Sequence, residues 1–293
     1  MLAKLSSLLL LAPLLWLPIS AEPTAPTAAA GMDGFVQLPQ RPHILITNDD
    51  GIDSAGIVTL AQSLSTIADI TVVAPDGNRS GSSGSSTIFK ENLTVVEQQM
   101  AGVGKVYAVS GTPVDAADFG LKHLGLDHRF DLVVSGINAG SNVGEVAHYS
   151  GTVGAAMEGP AYGIPGIAIS QVNRQDFARA AGFAVTFVQH LIDEGAHKGT
   201  VYSINVPNHP NPLPVRTAFM GGRYLQVKGF RRLSQDGATS VYRARSQLST
   251  SGPAGSDTEL MYSNNITITP LLFNWTDHPA LAKAQNWQFD DVP

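Results

Sequence analysis

His43-Ile44-Leu45-Ile46-Thr47-Asn48-Asp49-Asp50-Gly51 decides the fold. Its first half is apolar on both faces, as a strand buried inside a parallel sheet must be, and its second half turns abruptly to amide and carboxylate. Ser54 to Ala68 follows with Ile57, Leu60, Ala61, Leu64 and Ile67 at helical spacing, which completes a βα unit. Ligands of open α/β sheets sit beyond the carboxyl ends of the strands, where Asn48, Asp49 and Asp50 stand. Two abutting carboxylates repel one another, and a bound cation relieves that repulsion. The competing reading is an Asx turn in which Asp50 caps the following helix. A cap needs one carboxylate, so that reading leaves the second unexplained.

Working outward, apolar runs alternate with helical patterns. Ile70 to Ala74, Val106 to Ser110, Leu132 to Ser135, Ile167 to Ser170 and Val201 to Val206 read as strands. Thr112 to Leu124, Thr152 to Tyr162 and Phe177 to Glu194 read as helices, the first with Thr112 as N-cap, Pro113 at N1 and Asp115 at N3. The chain is therefore α/β with a mainly parallel sheet. Pro207 to Ser263 is rich in Pro, Gly, Ser and Arg with short alternating pieces, which predicts extended arms or hairpins of the kind that pair between subunits. An apolar strand, Ile266 to Thr269, and a short helix after Pro279 close the chain.

Lys4, the apolar stretch Leu5 to Ile19 and Ser20-Ala21 have the layout of an export signal, 1–21, which predicts a periplasmic or secreted protein. An uncleaved membrane anchor is the alternative, but the stretch falls short of the ~20 residues of a span and is broken by Pro13 and Pro18, so stable membrane insertion is not expected after cleavage. Residues 22–41, rich in Ala, Pro and Thr, read as a disordered linker, leaving 42–293 as one folded domain: an α/β core over 42–206, extended arms over 207–264, and a last strand and helix over 265–293. The sequence contains no cysteine, which excludes disulfides and thiolate chemistry. A net charge of −6 argues against a nucleic-acid polymer as partner, because a chain of phosphates requires a basic face.

Three more strand ends carry chemistry. Pro75-Asp76-Gly77-Asn78-Arg79-Ser80-Gly81-Ser82-Ser83-Gly84-Ser85-Ser86 is too small and polar for a core. Gly136-Ile137-Asn138-Ala139-Gly140-Ser141-Asn142-Val143-Gly144 is dense in glycine, so backbone can approach a ligand. Ser150-Gly151-Thr152 opens a helix whose free N–H groups and dipole favour an anion. Each alone could be an ordinary βα connection. With Asp49-Asp50 they describe a hard-cation site facing a phosphate pocket.

Ile46-Thr47-Asn48-Asp49-Asp50-Gly51, Ala74-Pro75-Asp76 with Asn78-Arg79-Ser80-Gly81, Ser135-Gly136-Ile137-Asn138-Ala139-Gly140 and Tyr149-Ser150-Gly151-Thr152-Val153 together resemble the SurE family of metal-dependent 5′-nucleotidases. The resemblance runs in register from about Pro42 to Ser170, weakens through the arms and returns near Ile266 to His278. It implies a Rossmann-like, doubly wound core with C-terminal hairpin or arm extensions that assemble homodimers or homotetramers. It also implies one divalent cation per subunit, Mg²⁺ or Mn²⁺, held by Asp49, Asp50, Ser80 and Asn138, all of which offer oxygen donors suited to a hard cation.

The reaction implied is hydrolysis of nucleoside monophosphates by a metal-activated water that Asp49 or Asp50 orients. Asn138, Ser150, Gly151 and Thr152 would hold the phosphate, and His278 or water would protonate the leaving hydroxyl. His148, next to the phosphate loop, is the reserve candidate, whereas His43 precedes the first strand at its far end. Two departures stand out: Ala116 replaces a cysteine frequent in the family, and Asn274 replaces the Asp that often stands four residues before the late histidine, which removes a proton acceptor beside His278. The same site would serve a broad acid phosphatase or a short-chain polyphosphatase, and an inactive exported nucleotide- or metal-binding module is the reading from outside enzymology. A dinucleotide oxidoreductase is disfavoured, since Asn-Asp-Asp-Gly after the first strand repels a pyrophosphate that Gly-x-Gly-x-x-Gly would accept.

Overall fold

The structure is a computed structural model that describes residues 34–127, 129–172 and 176–287. The stretch read as an export signal, 1–21, and the following residues as far as 33 lie outside the described residues. In chain order the elements are β1 (Phe35–Val36), β2 (His43–Thr47), α1 (Ala55–Leu64), β3 (Asp69–Pro75), β4 (Val95–Met100), β5 (Val103–Val109), α2 (Pro113–Lys122), β6 (Leu132–Ala139), α3 (Gly151–Ala161) and β7 (Gly166–Gln171). There follow α4 (Ala178–Glu194), β8 (Ala196–His197), β9 (Thr200–Val206), β10 (Val215–Thr217), β11 (Leu225–Asp236), β12 (Thr239–Leu248), α5 (Asp257–Tyr262), β13 (Ile266–Leu272) and α6 (His278–Ala284).

β2 is the hinge of the architecture. Ile44 and Ile46 pack into one apolar cluster and Leu45 into another on the opposite face, which is why the run shows no polar alternation. α1 and α4 cover the first face, α2 and α3 the second. The nine strands lie in the order β10-β13-β9-β7-β6-β2-β3-β5-β4. From β5 to β9 all neighbours are parallel, and their order reverses between β2 and β6. This is a doubly wound Rossmann-like sheet, and its crevice opens where Thr47 and Ser135 pair at the carboxyl ends of β2 and β6.

Several expectations need correction at their edges. α1 stops at Leu64, short of Ala68, because the Ser65 and Thr66 hydroxyls donate back to the carbonyls of Gln62 and Ser63 and compete with helical continuation. Gly34 to Arg41, assigned to the linker, belongs to the folded body: β1 pairs antiparallel with β8 and Leu38 is buried in the main core. The edge strand β4, half polar and with no fully buried residue, carries little apolar signal. The arm region holds the antiparallel hairpin β11–β12, as expected, and also α5, whose Ser256 side chain accepts from Glu259 N–H in the Ser-x-x-Glu pattern of a helix start.

Candidate active site

The residues after β2 build the floor of the crevice. Asn48 is wholly buried and folds the turn, its amide donating to Gly51 O at 2.9 Å and Ser54 Oγ at 2.8 Å while Gly51 N–H donates back. Gly51 has φ +101°, and a Cβ there would meet the backbone of Gly77 at 3.0 Å, so only glycine lets the second loop lie against the first. The Asx turn anticipated for Asp50 thus falls to Asn48, which frees both carboxylates from capping. Asp50 reaches across the crevice to accept from Ala139 N–H at 3.1 Å and from the Asn78 amide at 3.2 Å.

Asp49 is 3% exposed and accepts the Thr152 hydroxyl at 2.6 Å. Burial drives its carboxyl above the ordinary carboxylate range, the Thr152 hydrogen bond opposes that shift, and the neighbouring Asp50 reinforces it. Arg79, the base in the adjoining loop, is taken by Asp76 at 3.0 Å and Ser110 O at 3.2 Å, and only its backbone N–H touches the floor, donating to Asp49 O at 2.7 Å. Among the described residues neither Asp49 nor Asp50 has an ion pair. A buried carboxylate and an adjacent second one, both without a cation from the chain, are a mismatch that a bound cation resolves.

The Ser-rich loop is fixed from its far end. The Asp115 carboxylate completes a capping box with Thr112 and accepts from Ser86 Oγ and from the N–H and Oγ of Thr87. Burial alone would raise that carboxyl, but these donors hold it below the usual range. Between these anchors the Ser82 hydroxyl is buried without a partner among the described residues. A Cβ built on Gly151 would lie 2.8 Å from Ser82 Oγ and 3.1 Å from Asp49 Oδ2, so the hydroxyl and the carboxylate flank one point at the start of α3.

The sequence-derived residues separate into three groups. Asp49 and Asp50 lie in the crevice and Asn138 and Ser80 on segments that border it: Asn138, whose amide donates to Gly140 O, immediately precedes the Ala139 that holds Asp50, and exposed Ser80 follows the Arg79 whose N–H donates to Asp49 O. Ser150, Gly151 and Thr152 do open α3 beside them, but the hydroxyls have other duties: Ser150 Oγ accepts Val153 N–H as N-cap, and Thr152 Oγ serves Asp49. Of that triplet, backbone N–H groups are what is left to offer an anion. His278 is the exception. It begins α6 exposed and, among the described residues, has no hydrogen bond to the carboxylates or their loops.

Asn78 and Ser82 went unassigned in the sequence. Asn78 lay inside a recognised motif, whereas nothing local distinguishes Ser82 from its neighbouring serines.

The family model described as "Survival protein SurE" matches residues 44–225. The chain belongs to the SurE family. A protein named 5′-nucleotidase SurE from Vibrio vulnificus is 35% identical over 248 residues, covering 84% of this chain and 95% of that relative. One of the same name from Geobacter sulfurreducens is 36% identical over 256 residues, covering 84% and 93%. The crystal structure of the Aquifex aeolicus SurE protein superposes with a TM-score of 0.73 at 31% identity, covering 83% of this chain and 98% of that one. In SurE terms, the matched segment contains the whole crevice, from β2 through the α3 N-terminus.

Proposed function

We propose that the chain is a hydrolase of phosphoric monoesters acting on nucleoside 5′-monophosphates at the β2/β6 crevice. The observation that carries this reading is the Asp49–Asp50 pair, buried at one member and, among the described residues, lacking a cationic partner, set against a helix N-terminus. Relatives named 5′-nucleotidase over most of the chain's length support it.

Among the described residues no three His, Cys, Asp or Glu side chains converge, so a cation here depends on neutral oxygens as well as the two carboxylates. The donors fit: Asp49, Asp50, Ser80 and Asn138 would hold one divalent ion, Mg²⁺ or Mn²⁺, and the orphaned Ser82 hydroxyl is available beside them. When bound, such an ion supplies Lewis acidity that polarises a phosphoryl oxygen and acidifies a water. The chain supplies the rest. Thr152, Ala139 and Asn78 lock the two carboxylates in place, and the N-terminal end of α3 offers N–H groups and the positive end of its dipole to the phosphate. Phosphate release from nucleoside monophosphates and from polyphosphate, with and without chelator and with Mn²⁺ or Mg²⁺ restored, tests the assignment; full turnover after exhaustive chelation sinks the cation's role.

Two further proposals concern the setting. Export is supported by the order of Lys4, Leu5 to Ile19 and Ser20-Ala21, and intact mass of the recovered protein should begin near Glu22; a soluble cytoplasmic product retaining Met1 argues against it. Assembly into dimers or tetramers is supported by the hairpin β11–β12, which exposes Val227, Phe230, Val241 and Tyr242. Light scattering should show a multimer that becomes a monomer when residues 226–247 are replaced by a short turn.

A further inference from the structure

A groove of about 620 Å³ runs from the phosphate end of the crevice along α3. Ser150 and Ser83 stand at its mouth, and Val153, Gly154, Met157 and Glu158 form its floor. These α3 positions follow Ser150 by three, four, seven and eight residues and so share one helix face, with Glu158 about 12 Å along the axis from Ser150 at 1.5 Å per residue. The opposite wall is the segment after β13, Leu271 to Asp277, with Phe273 and Trp275 facing in. A mostly apolar groove with a few polar groups, continuous with a phosphate-binding end, has the character of a small-molecule site.

Two side chains stand out. Trp275 is 78% exposed, yet its ring is fixed at 86° to the His148 imidazole with centroids 5.9 Å apart. A large aromatic side chain held open to solvent in this way is a stacking surface awaiting a flat partner. Glu158 is half-buried along the α3 side of the groove and, among the described residues, its carboxyl has no hydrogen bond.

We propose that this groove is the nucleoside subsite, in which the base of a nucleoside monophosphate stacks on Trp275 against Met157 and turns its polar edge to the Glu158 carboxyl. The inference rests on the phosphomonoesterase reading above and adds the part of the substrate that reading leaves unplaced. Burial, then Asp118, raises Glu158 to about 7, with Lys122 opposing and Asp115 adding to the shift from the neighbouring α2. Near neutrality such a carboxyl can accept or donate, which suits the mixed donor and acceptor edge of a base.

Steady-state kinetics decide it, with the four common nucleoside monophosphates, ribose 5-phosphate and p-nitrophenyl phosphate compared in Mn²⁺. Trp275→Ala should raise KM for nucleoside monophosphates about tenfold or more while leaving kcat/KM for ribose 5-phosphate within about twofold, because only the base loses its contact. Glu158→Gln should re-rank the bases and leave ribose 5-phosphate untouched. Equal losses on all substrates, or none, would overturn the subsite. If the parent protein cleaves no phosphomonoester, the phosphatase reading fails by itself. Calorimetry with adenosine and guanosine then decides the subsite: binding that Trp275→Ala abolishes supports it, and no binding to the parent refutes it.

Discussion

Replacing Thr152 by valine removes one hydroxyl and almost no volume, and it isolates the contact on which the buried carboxylate depends. In the parent that hydroxyl donates to Asp49 Oδ1 at 2.6 Å, with Thr152 wholly buried and Asp49 3% exposed, so its loss leaves a buried carboxylate oxygen short of a donor. Hydrogen bonds to charged groups contribute about 1.5–3 kcal/mol, and at roughly 2–4 °C per kcal/mol for a domain of this size the melting temperature should fall by about 3–12 °C. Divalent-ion affinity and kcat/KM should each fall by roughly 10–100-fold, the usual cost of losing a side chain that orients a ligand. Thr152→Ser keeps the hydroxyl and should retain most of both. Thermal melts, calorimetric titration with Mn²⁺ and nucleotide hydrolysis measure the three effects. A Thr152→Val protein with parent melting temperature and parent kcat/KM would refute the claim that Thr152 sets Asp49.

Other expectations follow from the same geometry. Asp50→Asn should nearly abolish turnover while circular dichroism and melting stay close to the parent, since among the described residues Asp50 holds only Ala139 N–H and the Asn78 amide; substantial activity in a folded variant would remove Asp50 from the site. Gly151→Val should cost cation binding as well as substrate binding, because any Cβ there lies 2.8 Å from the Asp49 Cβ and Ser82 Oγ; calorimetry showing unchanged Mn²⁺ affinity would contradict this. Asp115→Asn should loosen the Ser-rich loop and destabilise the protein by about 1.5–3 kcal/mol at neutral pH. Because the folded carboxyl is held below its ordinary value, its contribution is complete above that value and disappears as pH falls through the folded one, so the gap between parent and variant in urea melts should close in acid. A gap that widened in acid would reverse the assignment.

Most of the sheet was legible in the sequence because its central strands are buried on both faces. Ile44 to Ile46, Leu132 to Ser135 and Ile167 to Ser170 are buried throughout and admit no polar alternation, and the first of them runs into the amide and carboxylates that mark a carboxyl edge. Local chemistry likewise announced α2, whose Thr112-Pro113-Val114-Asp115 start needs no tertiary context to cap itself. The edge strand β4 and the pairing of β1 with β8 escaped notice, since an edge strand is satisfied by hydrogen bonds on one side and its side chains by water.

At the crevice the sequence by itself determined which carboxylates, serines and glycines stand at strand ends, because period and composition are local properties. Only the tertiary structure decided how they are used. The Asp49–Thr152 contact spans 103 residues and the Asp50–Ala139 contact 89, and such bonds exist only after β2 and β6 lie side by side. The same packing gave the Ser150 and Thr152 hydroxyls partners within the fold and, among the described residues, left the Ser82 hydroxyl without a partner and His278 without a hydrogen bond to the crevice. It also brought the segment after β13 against α3 to make the groove. Chain-distant atoms meet by folding, and their distances carry the chemistry that neighbouring letters do not encode.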